Sequence, residues 1–136
     1  MSRTGILQID DLLASMKPVL SSEEYVFCTV EGGLSDHLNL KPVATFDERE
    51  GFTLVITRQT ANSAGIDYEN TYRQITLTVH SSLEAVGLTA AVSRQLASVG
   101  VSANVIAAFY HDHIFVQSDK ADIALSALQA LSEESR

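Results

Sequence analysis

Residues 75–88, Ile75-Thr76-Leu77-Thr78-Val79-His80-Ser81-Ser82-Leu83-Glu84-Ala85-Val86-Gly87-Leu88, decide the fold. Ile75, Leu77 and Val79 alternate with Gln74, Thr76 and Thr78, which predicts a strand with one apolar and one semi-polar face. Ser81 and Glu84 then match a capping box, in which the serine oxygen satisfies an N–H at a helix start and the glutamate reaches back. A helix is expected to follow, with Ala85, Leu88, Val92, Leu96 and Val99 as its buried stripe and Gly100 as its stop.

Downstream, Val101 to Tyr110 reads as a second strand and His113 to Gln117 as a third, joined by the turn Tyr110-His111-Asp112-His113. Ser118 or Asp119 is expected to cap a last helix carrying Ala121, Ala124, Leu125, Leu128 and Leu131. The order is β-α-β-β-α. Strands one and two, joined through a helix, are expected to be parallel neighbours, and strands two and three an antiparallel hairpin. With helices on one face, this is an α+β, ferredoxin-like arrangement. Such a fold normally closes with a fourth strand after the last helix, for which Leu131 to Arg136 leaves no room. An upstream strand, 25 to 30 or 52 to 57, is expected to take the place.

Upstream, Ile6, Ile9, Leu12, Leu13 and Met16 predict a helix over 5–16, with Pro18 as a stop. Tyr25 to Val30 predicts a strand covered on both faces. Leu34 to Lys41 is too short for a long crossover helix. Pro42 to Phe46 pairs with Phe52 to Thr57 across Asp47-Glu48-Arg49-Glu50-Gly51, and residues 59–65 form a short helix ending at Gly65. Asp67 to Thr71 reads as a linker. The division is an N-terminal half over 1–70, with a compressed β-α-β-β order, and a C-terminal domain over 71–136.

The chain has 136 residues, 46% of them hydrophobic, which suffices for a packed core. A formal charge of −8, with 17 acidic residues against 9 basic and no basic cluster, disfavours nucleic acid and anionic membranes. No apolar run approaches the roughly 20 residues that span a bilayer. No secretion signal is read at the N-terminus. The one cysteine, Cys28, excludes an internal disulfide and a four-cysteine zinc site, so a reducing, cytoplasmic setting is expected.

Cys28 lies in an apolar strand, as a small buried hydrophobe rather than a nucleophile. His111, Asp112 and His113, with His80 or His37, supply ligand types for a metal, but a polar turn explains them as well. Asp36-His37 in a glycine-rich loop reads as solvated polar residues. No nucleophile elbow, phosphate loop or paired-carboxylate pattern is present, so no catalytic residue, metal or cofactor is assigned.

The string from Ile75 to Ala91, with Gly100 to Ile106 and Tyr110 to Val116, resembles the ACT domains of the aspartokinase and cytosolic arginine-sensor type. Over its whole length the chain is similar to small stand-alone bacterial proteins of that superfamily. The resemblance implies tandem ACT-like modules and a non-catalytic, regulatory role. It also implies a small ligand, often an amino acid, held between paired modules by the first strand-to-helix loop and a neighbouring second strand. Carried over, these are His80, Ser81, Ser82, Leu83, Glu84, Ala85, Val86 and Gly87, with Asn104, Val105 and Ile106; Asp112 matches an acidic residue that meets a basic ligand end. The first half departs from the pattern, lacking the long helix and the Ser-Ser-x-Glu junction.

From the residues alone, an α-carboxylate would be held by free amides at a helix start, placed at Ser82 to Val86, and Gly87 would permit close approach. An α-ammonium would find acceptors on Asn104 or Asp112. The expected partners are a small molecule and further copies of the chain, because a small sheet leaves an edge to cover. The alternative is an assembly module with no ligand of its own, serving an enzyme or regulator. A third reading is a small metal-dependent enzyme using His111, Asp112 and His113.

Overall fold

The computed structural model describes residues 9–79 and 87–136. They form α1 (Ile9–Ser15), β1 (Pro18–Val30), β2 (Ala44–Glu48), β3 (Gly51–Thr57), α2 (Arg58–Ala64), β4 (Tyr72–Leu77), α3 (Leu88–Ser98), β5 (Asn104–Ala107), β6 (Asp112–Gln117) and α4 (Ala121–Glu134). The chain divides into two compact units. One is Ser22–Arg73; the other joins residues 1–21 to Gln74–Arg136.

In the second of these units the strand order is β1-β4-β6-β5, with the beginning of β1, Pro18–Ser21, in the place of the fourth strand. Pro18 does more than end a helix. Lys17 takes a left-handed φ of 38°, which turns the chain out of α1, and Pro18 opens the strand, a position where its missing N–H costs nothing. β1 thus starts seven residues before the predicted Tyr25. The carbonyl of Met16 accepts from the Thr78 amide at 2.8 Å, and that of Lys17 from Thr78 Oγ1 at 2.9 Å.

The expected parallel neighbours are separated, since β6 lies between β4 and β5. A helical crossover fixes the relative direction of two strands but not their adjacency, and the β5–β6 hairpin folds its second strand into the gap. β5 and β6 pair antiparallel from Asn104↔Phe115 to Ala107↔Asp112. The second strand is therefore four residues, not ten, and the turn is Ala108–His111, closed by the Ala108 amide donating to the His111 carbonyl at 3.0 Å.

Ile75, Leu77, Ile114 and Val116 turn to one face of this sheet and pack with Leu12, Leu13 and Met16 of α1, Leu88, Val92 and Leu96 of α3, and Ala124 and Leu128 of α4. The stripe predicted for α3 holds at Leu88, Val92 and Leu96, but Val99 is 39% exposed because the helix has already ended at Ser98. Gly100 follows with φ 77°, as a helix stop requires. Neither Ser118 nor Asp119 caps α4 through its side chain: a 3₁₀ turn over Ser118–Lys120 leads into the helix, and Lys120 Nζ donates to the Gly100 carbonyl at 2.8 Å.

In the Ser22–Arg73 unit the order is β2-β3-β1, all antiparallel. Val26, Cys28, Leu40, Phe52, Leu54, Ile56 and Ala61 make its core. Two 3₁₀ turns, Leu34–Asp36 and Leu38–Leu40, stand where the other unit has a full helix. The β2–β3 register places Glu48 opposite Gly51, so the loop is Arg49-Glu50 alone, tighter than the five residues expected. Asp47, Glu48 and Gly51 still find partners in the ladder. α2 is capped by Thr57, whose Oγ1 accepts from the Thr60 amide at 3.1 Å, and it stops at Gly65 with φ 69°. This antiparallel α+β arrangement, with one strand order repeated in two units, is the ferredoxin-like tandem.

Candidate ligand site

β4 leads from its buried residues Ile75 and Leu77, through Val79, toward the predicted loop. His80, Ser81, Ser82, Leu83, Glu84, Ala85 and Val86, including the Ser81/Glu84 capping box, lie outside the described residues. Gly87 is described. With φ 106° it is the N-cap of α3, a conformation that penalises any side chain, and among the described residues no side chain caps the helix there. The first helical hydrogen bond runs from the Ala91 amide to the Gly87 carbonyl, at 2.8 Å. The donors at this helix start are thus those of Leu88, Thr89 and Ala90, several residues beyond the predicted Ser82 to Val86.

Asn104, Val105 and Ile106 lie on β5, the last strand of the sheet order. Asn104 is exposed, and its Nδ2 donates to the Phe115 carbonyl at 3.1 Å; its side-chain oxygen is the acceptor that remains. Asp112 begins β6, half-buried and opposite Ala107. Among the described residues no ion pair involves it. Burial raises its carboxyl above the usual range, against the opposing pull of His113 and His111.

Within the chain, the end of β4 borders β6 rather than β5. His111 Nδ1 lies 3.4 Å from the Val79 carbonyl, so Asp112 is grouped with the β4 end while Asn104 to Ile106 stand one strand further out. The structure also groups residues that the pattern left apart: His113 Nδ1 lies 2.9 Å from both Gln74 Nε2 and Thr76 Oγ1. The alternation of Ile114 and Val116 implied the face on which His113 stands, but nothing in the sequence pairs 113 with 74 or 76.

Other candidates have structural partners. Asp36 Oδ2 accepts from the Gly33 amide, and His37 Nε2 lies 2.7 Å from the Glu31 carbonyl, so both brace the glycine loop. Cys28 is buried, its thiol donates to the Leu54 carbonyl, and burial pushes its pKa up, away from nucleophilic use. Arg58 pairs with Glu24 at 2.8 Å and donates to Tyr68 Oη, which donates to Asn62; Tyr72 meets Phe27 edge-on at 5.2 Å. Among the described residues no group of three His, Cys, Asp or Glu side chains is placed to hold a metal ion. Among them, too, no helix is long and apolar enough to cross a membrane.

Two family models, both described as ACT domain, match residues 4–73 and 69–130. The chain is similar to a Vibrio cholerae protein of unknown function, described as a possible transport protein, at 56% identity and TM-score 0.84, covering 90% of this chain and 94% of that one. It is also similar in fold to the ligand-free regulatory subunit of aspartate kinase from Thermus thermophilus, at 10% identity and TM-score 0.65, over 86% of this chain and 97% of that one. Escherichia coli aspartokinase III, solved with aspartate and ADP, matches at 10% identity and TM-score 0.60, over 84% of this chain and 32% of that one. A comparison with curated proteins returned no match.

Proposed function

This chain belongs to the ACT-domain family in both of its halves, and from that premise we propose that it is a non-catalytic, cytoplasmic regulatory protein that binds a free amino acid or a similar small zwitterion. The observation that carries the reading is the start of α3. Gly87 bends there with no side-chain cap among the described residues, and the helix start carries the amides of Leu88, Thr89 and Ala90 with the positive end of its dipole. An α-carboxylate is the natural guest for such a terminus. The half-buried carboxylate of Asp112, at the same end of β6 as the His111–Val79 contact, suits the ammonium or a basic side chain. Asn104 to Ile106 are proposed to act from a second copy, since β5 stands last in the strand order and, among the described residues, has a strand on one side alone. The residues from His80 to Val86 complete the proposed site.

Thermal-shift measurements against the twenty amino acids test this. A true ligand at 100 times its Kd adds about 2.7 kcal/mol to stability. A flat response to all twenty at millimolar concentration overturns the reading.

One feature favours an assembly role instead. At the tip of the hairpin bearing β5, Phe109 and Tyr110 are 70% and 63% exposed and meet edge-on with ring centroids 5.0 Å apart. Tyrosine is enriched among the residues that carry the binding energy of protein interfaces. A flat ligand screen together with stoichiometric capture of an enzyme or regulator would select that reading.

A further inference from the structure

Ile75 and Leu77 face the helices, as do Ile114 and Val116, so the alternate residues Gln74, Thr76 and His113 stand together on the other face of the sheet. There His113 Nδ1 is 2.9 Å from Gln74 Nε2 and 2.9 Å from Thr76 Oγ1. An amide nitrogen has hydrogens and no acceptor lone pair to offer. Nδ1 must therefore be the acceptor, which places the imidazole hydrogen on Nε2.

We propose that Gln74, Thr76 and His113 form a proton-sensitive clasp, which joins the side chains of β6 to β4 in one hydrogen-bond arrangement while the imidazole is neutral and in another once it is protonated. A proton added at Nδ1 converts that nitrogen into a donor facing a donor. The Gln74 amide must then turn its oxygen inward or withdraw, and Thr76 must switch from donating to accepting. The clasp thus has two discrete hydrogen-bond arrangements, selected by one proton.

The surroundings favour the neutral arrangement. The titratable groups that act on His113 are His111 and Asp112, both from its own strand and turn. β4 presents Gln74 and Thr76, which do not titrate, and β5 presents Ile106 opposite His113 and has no titratable side chain. α1, α3 and α4 pack on the opposite face. Burial, and then His111, hold the His113 imidazole below its usual value, while Asp112 pulls the other way. In the turn before β6, His111 meets the Val79 carbonyl, just past the end of β4. The inference stands on this geometry and does not depend on any ligand.

The test is imidazole nitrogen NMR on the full-length protein. At pH 7.5 the His113 signals are expected to be those of the Nε2–H tautomer, with titration at lower pH than in the urea-unfolded chain. Gln74→Glu replaces a donor with a carboxylate acceptor and should raise the proton affinity of His113 at least about tenfold, one pH unit. Thr76→Val removes, at nearly constant volume, a hydroxyl that donates to the neutral ring and accepts from the protonated one, so it should shift the titration by less than Gln74→Glu does. An Nδ1–H tautomer in the wild type overturns the proposal. So does an unchanged His113 titration in Gln74→Glu, with fold confirmed by backbone spectra.

Discussion

Asp112 and His113 are adjacent yet respond to pH in opposite senses. For His113 the folded value lies below the unfolded one, so its contribution to stability is present above the unfolded value, near 6.5, and is lost as pH falls. For Asp112 the folded value lies above the unfolded one, so its contribution is present below the ordinary value, near 3.8, and is lost as pH rises. The His113 contribution to the urea-unfolding free energy should therefore decline as pH falls from 7 to 5, so His113→Asn should gain on the wild type over that range. Asp112→Asn should be at least as stable as the wild type at pH 7, an advantage that vanishes as pH drops through the carboxylate range. The same variant should lose the thermal shift caused by any basic ligand. In the core, Leu96 is fully buried among three helices and the sheet. Leu96→Ala should cost about 2 to 5 kcal/mol in chemical denaturation, with an unchanged m-value.

Among the elements, α2 shows how local chemistry sets a boundary. Its seven residues contain too little propensity to nucleate alone, so the Thr57 cap and the Gly65 stop hold it, with Ala61 buried against β3. Thr57→Ala removes the acceptor for the Thr60 amide and should cost about 0.5 to 2 kcal/mol by equilibrium unfolding. Gly65→Ala meets no atom within 4 Å, so its cost is the left-handed backbone alone, about 1 kcal/mol. A loss well above that would point to a role beyond chain reversal. The Gly65 stop was legible because it lies within four residues of its partner, whereas the Thr57 cap was not read and the helix was placed one residue late, at 59–65. By contrast, the start of β1 at Pro18 lies beside Thr78, far along the chain, and local pattern placed it too late. The loop was placed too wide because the β2–β3 ladder runs on through Asp47, Glu48 and Gly51, residues whose types signal a turn.

At the scale of the whole molecule, the unit that contains α3 also needs α1 and the beginning of β1. Leu12, Leu13 and Met16 are buried in the same cluster as Leu96 and Leu128, and the Ser132 hydroxyl donates to the Ala14 carbonyl at 3.2 Å. A fragment of residues 71–136 should therefore lack cooperative unfolding, whereas the full chain should unfold in a sigmoidal transition followed by circular dichroism. The ferredoxin-like class, most of the elements and the faces of Ile75, Leu77, Ile114 and Val116 could be read from the residue pattern, because hydrophobic periodicity and turn chemistry act over a few residues. The resemblance carried by Ile75 to Ala91 pointed to the same family that the comparisons found. Three features came only from the tertiary fold: the insertion of β6 between β4 and β5, the use of Pro18–Ser21 rather than residues 25–30 or 52–57 as the fourth strand, and the meeting of His113 with Gln74 and Thr76. All three join residues more than thirty positions apart. Which strand fills a gap is decided by the burial of the whole sheet at once, a quantity that no short window of the chain contains.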